Sequence, residues 1–141
     1  MKRPIKILHV EDDQAVRTMT AEFLTEAARK DGIEMLIEGC ETLAEAKALA
    51  SGFDVVLLDL GLPDSPRQKT LEALPEITSG FPPVIVVSAY TDHAGEEPAV
   101  YWDAIRFGAV DVHYKTTASA DPHGLLLNCM KAISRRKYAR F

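Results

Sequence analysis

Five polar residues in this chain stand where short apolar runs stop, and their types suit cations and phosphoryl groups. Glu11 and Asp12 follow IKILHV, Asp59 follows FDVVLL, Ser88 follows PPVIVV, and Lys115 follows AVDVHY. If the runs are parallel strands of one sheet, their carboxyl ends share one edge, where open α/β folds build ligand sites. Three carboxylates gathered there repel one another unless a cation neutralises them. A hard, oxygen-preferring ion of the Mg²⁺ type does so, held by one or two carboxylates and keeping waters for a phosphate. Lys115 would add a fixed positive charge and Ser88 a hydroxyl donor for an oxyanion. Asp59 is the candidate nucleophile, because carboxylates can attack phosphorus and the LGLPDS loop after it leaves access open. An ionised carboxylate needs no general base, so catalysis reduces to positioning and electrostatics.

Placing these residues requires a regular alternation of elements. The runs 5–10, 53–58, 84–87 and about 110–114 are short, β-branched and bounded by Gly, Pro or Asp, as buried parallel strands are. IEMLIEG, 33–39, reads as a weaker fifth strand. Between them, Val16, Met19, Phe23 and Ala27 share one helical face, as do Leu43, Ala46 and Ala50, and again Leu126, Cys129, Met130 and Ile133. The pattern is therefore (βα)5, a parallel sheet covered by helices on both faces with right-handed crossovers. Asp13 is placed to cap the first helix. Pro75, inside the expected third helix over 67–79, predicts a kink or a late helix start. TDHAGEEPAV reads as an acidic, partly irregular insertion before a helix around 99–108. His9 and Cys129 are expected in the core, and RRKYAR as a solvated helix end favoured by the dipole.

Bulk properties narrow the function classes. The 141 residues fit one domain, and 47% hydrophobic content suffices for a sizeable core. A net charge of −5 argues against nucleic acid as a partner. The apolar run after MKRP is too short for a signal peptide or a membrane span, so no membrane partner is expected. Cys40 and Cys129 form no CxxC pair, which points away from disulfides and zinc and toward a reducing, cytoplasmic setting.

ILHVEDD, VVLLDLGLPDS, VIVVSAYTD and FGAVDVHYK occur in the order and approximate spacing of the receiver domain of two-component response regulators, which the chain resembles over about residues 5 to 135. The resemblance implies a flavodoxin-like, doubly wound sheet of strand order 2-1-3-4-5 in a single domain, 1–141, and a phosphoprotein of phosphorelay signal transduction. It implies that Asp59 is the phosphoacceptor, Asp12 a direct Mg²⁺ ligand, Glu11 a metal partner through water, and Gly61 a ligand through its carbonyl. Ser88 resembles the switch hydroxyl and Lys115 the phosphate partner. The donor would be a sensor histidine kinase or a histidine phosphotransfer protein. Departures from the family stand beside the matches. Thr116 replaces the proline that follows the lysine in many receivers, Val112 replaces the aromatic three residues before it, and the stretch from Ser88 to Lys115 is several residues longer than usual.

The expectation is a stand-alone receiver with no output domain, not an enzyme beyond self-catalysed transfer and slow autodephosphorylation. It would act on a downstream protein of unknown identity by changing protein contacts. Tyr90 is either a packing aromatic or a shield over the phosphoryl site. A phosphohydrolase built on Asp59 is disfavoured because Gly61 occupies the place of the second acid in haloacid-dehalogenase-type enzymes. A nucleotide or flavin site is disfavoured because EDDQ is acidic rather than glycine-rich. A receiver-like interaction module that is never phosphorylated is the remaining alternative.

Overall fold

A computed structural model describes residues 3–88, 96–114 and 121–138. Strands β1 (Ile5–Val10), β2 (Met35–Cys40), β3 (Val55–Leu58), β4 (Val84–Ser88) and β5 (Asp111–Tyr114) alternate with helices α1 (Gln14–Lys30), α2 (Leu43–Leu49), α3 (Arg67–Gly80), α4 (Glu96–Arg106) and α5 (Pro122–Tyr138). The strands form one sheet in the order β2-β1-β3-β4-β5, and every neighbouring pair is parallel. This is the parallel (βα)5 sheet that the alternation implied, in the flavodoxin-like doubly wound order that the resemblance implied.

The period-2 pattern of the strands sorts the core into two layers. Leu8, Val10, Val56, Leu58, Val84, Val86 and Val112 point to one face, where Leu43 and Ala46 of α2, Leu71, Leu74 and Ile77 of α3 and Ala104 of α4 cover them. Ile7, Val55, Leu57, Ile85 and Val87 point to the other, against Leu24, Ala27 and Ala28 of α1 and Leu125, Leu126, Cys129 and Ala132 of α5. All four residues of β3 are fully buried, as a central strand covered on both faces must be. Such burial contributes on the order of 1.5–3 kcal/mol for each large aliphatic side chain.

Local chemistry sets the element boundaries. Asp13 caps α1, its carboxylate accepting the N–H groups of Ala15 and Val16 at 2.9 and 3.3 Å. The same helix ends at Lys30, and Gly32, just past the Asp31 cap, has a φ of 67° in the left-handed region that favours glycine. Thr42 caps α2, its hydroxyl accepting the Glu45 N–H at 3.1 Å and donating to the Glu45 carboxylate at 3.1 Å. His9 is buried, and both cysteines are free, Cys40 in the first layer and Cys129 in the second.

Several expectations shift. The buried stripe of α1 is Leu24, Ala27 and Ala28, while Met19 and Phe23 are 42% and 39% exposed. The two alanines let the helix approach the sheet closely, and the larger residues fall on the flank of that contact. β3 starts at Val55 rather than 53, because the Phe53 N–H closes a 3-10 turn on Ala50. α3 begins at Arg67, directly after Pro66, and runs through Pro75 without the late start anticipated. α4 begins at Glu96, three residues before the expected 99, with Pro98 in its first turn, where a proline costs little. Residues 91–95 of the anticipated insertion lie outside the described residues.

Candidate functional site

At the carboxyl edge of the sheet the chain turns directly after β1, and the turn lets adjacent acids serve one place. The Glu11 N–H donates to the Cys40 carbonyl at 2.9 Å, extending the β1–β2 ladder by one residue. The Glu11 side chain is buried, and its carboxylate accepts the Asp13 N–H at 3.4 Å. Asp12 is exposed, and Asp13 turns away into its capping role. One strand over, the Asp59 N–H donates to the Val10 carbonyl at 3.0 Å, which sets Asp59 level with the start of that turn. Asp59 is 5% exposed. Carboxylate oxygens of Glu11, Asp12 and Asp59 all lie within 4.8 Å of one another. Three carboxylate oxygens at that spacing, two of them from buried residues, suit a hard cation of the Mg²⁺ class.

The loop after Asp59 is held in place by contacts at several points. Gly61 donates its N–H to the Asp59 carboxylate at 3.2 Å. Leu60 and Leu62 are buried in the first core layer. Leu62 and Ser65 exchange two backbone hydrogen bonds of 3.0 and 3.1 Å. The buried Ser65 hydroxyl meets the Thr70 hydroxyl at 2.7 Å, and Thr70 donates back to the Ser65 carbonyl at 2.7 Å. Asp64 reaches across to α2, accepting the N–H groups of Leu43 and Ala44 at 2.9 and 3.0 Å. Those donors, the Leu43 N–H first, hold the Asp64 carboxyl below the usual carboxylate range.

Ser88 is the last residue of β4, in register with Tyr114, the last residue of β5. The sheet thus carries the Ser88 backbone, and the residue before Lys115, to the edge where the acidic cluster lies. Lys115 itself, with Thr116 and Tyr90, lies outside the described residues. Val112 is buried among the first-layer residues that meet α4.

Two residues with no role in the sequence reading emerge beside the cluster. Arg17 donates to the Glu11 carbonyl at 2.5 Å and pairs with Glu41 at 3.3 Å. Gly39 leaves room for it, since a Cβ there would come within 2.7 Å of the Arg17 Cδ. Asp64 is the other. Its partners are 20 and 21 positions away, so no local motif announces the contact.

The chain has the fold of response regulator receiver domains. It superposes on a receiver domain protein (CheY-like) from Methanospirillum hungatei with a TM-score of 0.68 at 23% identity, covering 97% of this chain and 99% of that one. The response regulator domain of Thermotoga maritima CheB matches with a TM-score of 0.69 at 22% identity, covering 94% and 98%. The signal receiver domain of an HD domain-containing protein from Pseudomonas fluorescens reaches a TM-score of 0.73 at 16% identity, covering 99% and 94%. Among curated proteins, a protein-glutamate methylesterase/protein-glutamine glutaminase of Vibrio parahaemolyticus is 29% identical over 107 residues, and one of Vibrio vulnificus is 28% identical over the same length. The chain spans 27% of the length of these relatives, and the matched part is 76% of the chain. No protein-family model matches. Among the described residues, no helix is long and apolar enough to cross a membrane.

Proposed function

We propose that this chain is a phosphorylatable receiver. Asp59 takes a phosphoryl group from a phosphohistidine of a sensor histidine kinase or a histidine phosphotransfer protein, and the change is passed on through protein contacts. The observation that carries this reading is the convergence of Glu11, Asp12 and Asp59 within 4.8 Å at the carboxyl edge of a receiver-like sheet. Glu11, Asp12, Asp59 and the backbone of Gly61 would hold Mg²⁺. Bound there, the ion supplies positive charge that offsets carboxylate repulsion and the charge on the phosphoryl oxygens.

The chain's own part is positioning. A hydrogen bond from the Gly61 N–H orients the Asp59 carboxylate. An oxygen of that carboxylate bonds to phosphorus while the P–N bond of phosphohistidine breaks, and that electron pair stays with the imidazole nitrogen. No proton leaves Asp59, so no general base is needed. Ser88 and Lys115 are assigned to the transferred phosphoryl group, and the state in which both reach it is the one phosphorylation favours.

Incubation with acetyl phosphate and Mg²⁺, followed by intact mass measurement, tests the proposal. One phosphoryl adduct is expected, absent in Asp59→Asn and retained in Asp121→Asn. If neither acetyl phosphate nor a phosphohistidine donor gives an adduct, the receiver assignment fails and an interaction module that is never phosphorylated takes its place.

A further inference from the structure

Building on the receiver assignment, we infer that Asp64 is a positioning residue for the cation and phosphoryl site, fastening the loop that carries Asp59 and Gly61 to the first turn of α2. The loop leaves β3 at Asp59 and enters α3 at Arg67, and it is tied down in three directions. Toward β3, the Asp59 carboxylate holds the Gly61 N–H. Toward α3, Ser65 and Thr70 share paired hydrogen bonds. Toward α2, Asp64 makes a two-pronged contact, one carboxylate oxygen on the Leu43 N–H at 2.9 Å and the other on the Ala44 N–H at 3.0 Å.

This third tie differs in kind from an ordinary helix cap. α2 already has a cap of its own, the Thr42 hydroxyl accepting the Glu45 N–H, so Asp64 satisfies donors that Thr42 leaves open. Its effect on the loop is direct. Between Asp59 and Asp64 stand Leu60 and Leu62, buried in the core, and Gly61, where an added Cβ would meet nothing within 4 Å. Backbone with open space around it is held by its flanking anchors. With Asp64 released, the Gly61 segment keeps the tie to Asp59, the buried side chains of Leu60 and Leu62 and the bonds to Ser65, but loses its link to α2. Asp64 is exposed and both its carboxylate oxygens are engaged by the first turn of α2, so it acts through the loop. Loss of an outer support of this kind weakens metal affinity.

The test is calorimetric titration of the chain with Mg²⁺ alone, for wild type, Asp64→Ala, Asp64→Asn and Thr42→Ala. Asp64→Ala is expected to raise the Mg²⁺ dissociation constant roughly tenfold. Asp64→Asn keeps one acceptor oxygen and should fall between the two. Thr42→Ala removes α2's own cap and leaves the loop tied, so its constant should stay near wild type. Equal constants for wild type and Asp64→Ala overturn the inference. So does an equal shift in Thr42→Ala, which would assign the effect to helix stability. A wild type that binds no Mg²⁺ overturns both readings. A wild type that binds Mg²⁺ and loses affinity in Asp64→Ala, yet takes no phosphoryl adduct, leaves the Asp64 role standing and removes the proposed function.

Discussion

Glu11, Asp12 and Asp59 set a cost that the rest of the site has to meet. Two are buried and all three have oxygens within 4.8 Å of one another, so without a cation the cluster carries mutual repulsion. Asp12 is the member that can be neutralised with least side effect, because it is exposed. Asp12→Asn is therefore expected to stabilise the metal-free protein by about 1 kcal/mol at low ionic strength, the interaction of two charges some 4 Å apart in water. It should also reduce the rise in melting temperature that Mg²⁺ produces. Thermal denaturation in chelator and in Mg²⁺ measures both effects, and a loss of stability in chelator would contradict the repulsion argument. Arg17 shows the opposite logic. Its guanidinium holds the Glu11 carbonyl, which positions the backbone of the turn.

Among the elements, α1 and the loop after β3 do the most to place the site. α1 starts at Gln14, two residues after Asp12, so the cap on its first turn also defines how the acidic turn leaves β1. Asp13→Ala is expected to cost about 1 kcal/mol, the usual value of an N-cap carboxylate. Urea denaturation of the two chains measures it, and an unchanged midpoint would show that Asp13 does not hold the helix start. The short strands β3 and β5, four residues each, do their work by register. Leu58 pairs with Val10 and Val86, and Ser88 with Tyr114, so the residues that end or follow these strands reach one edge together. The flank of α1 bearing Met19 and Phe23 is left uncovered, because a helix on a flat sheet buries one stripe and that stripe is centred on Leu24, Ala27 and Ala28.

On the scale of the whole molecule, the sheet divides the interior into two layers that share no side chains. Cys40 belongs to one and Cys129 to the other, which forbids a disulfide between them without unfolding. Burial pushes the Cys40 thiol up to about 11 and the Cys129 thiol up to about 12. Thiolate, the reactive form, is thus scarce at neutral pH. Neither cysteine of the native protein should react appreciably with iodoacetamide, and both should react in denaturant. Mass measurement of the adducts checks this, and rapid native labelling of Cys129 would contradict the packing of α5 on the sheet.

How much of this was legible in the sequence depends on the range of the interaction concerned. Strand periodicity, the Asp13 cap, the alternation of elements and the strand-end positions of Glu11, Asp12, Asp59 and Ser88 are set by neighbours a few residues apart, so sequence alone determined them. The tertiary structure alone decided which stripe of α1 is buried, that α3 runs through Pro75, and that Arg17 and Asp64 support the acidic turn and its loop. The packing of α1 and the Asp64 tie rest on contacts between residues distant along the chain. The 20 positions that separate Asp64 from Ala44 leave no period, cap or turn signal from which folding could be read in advance.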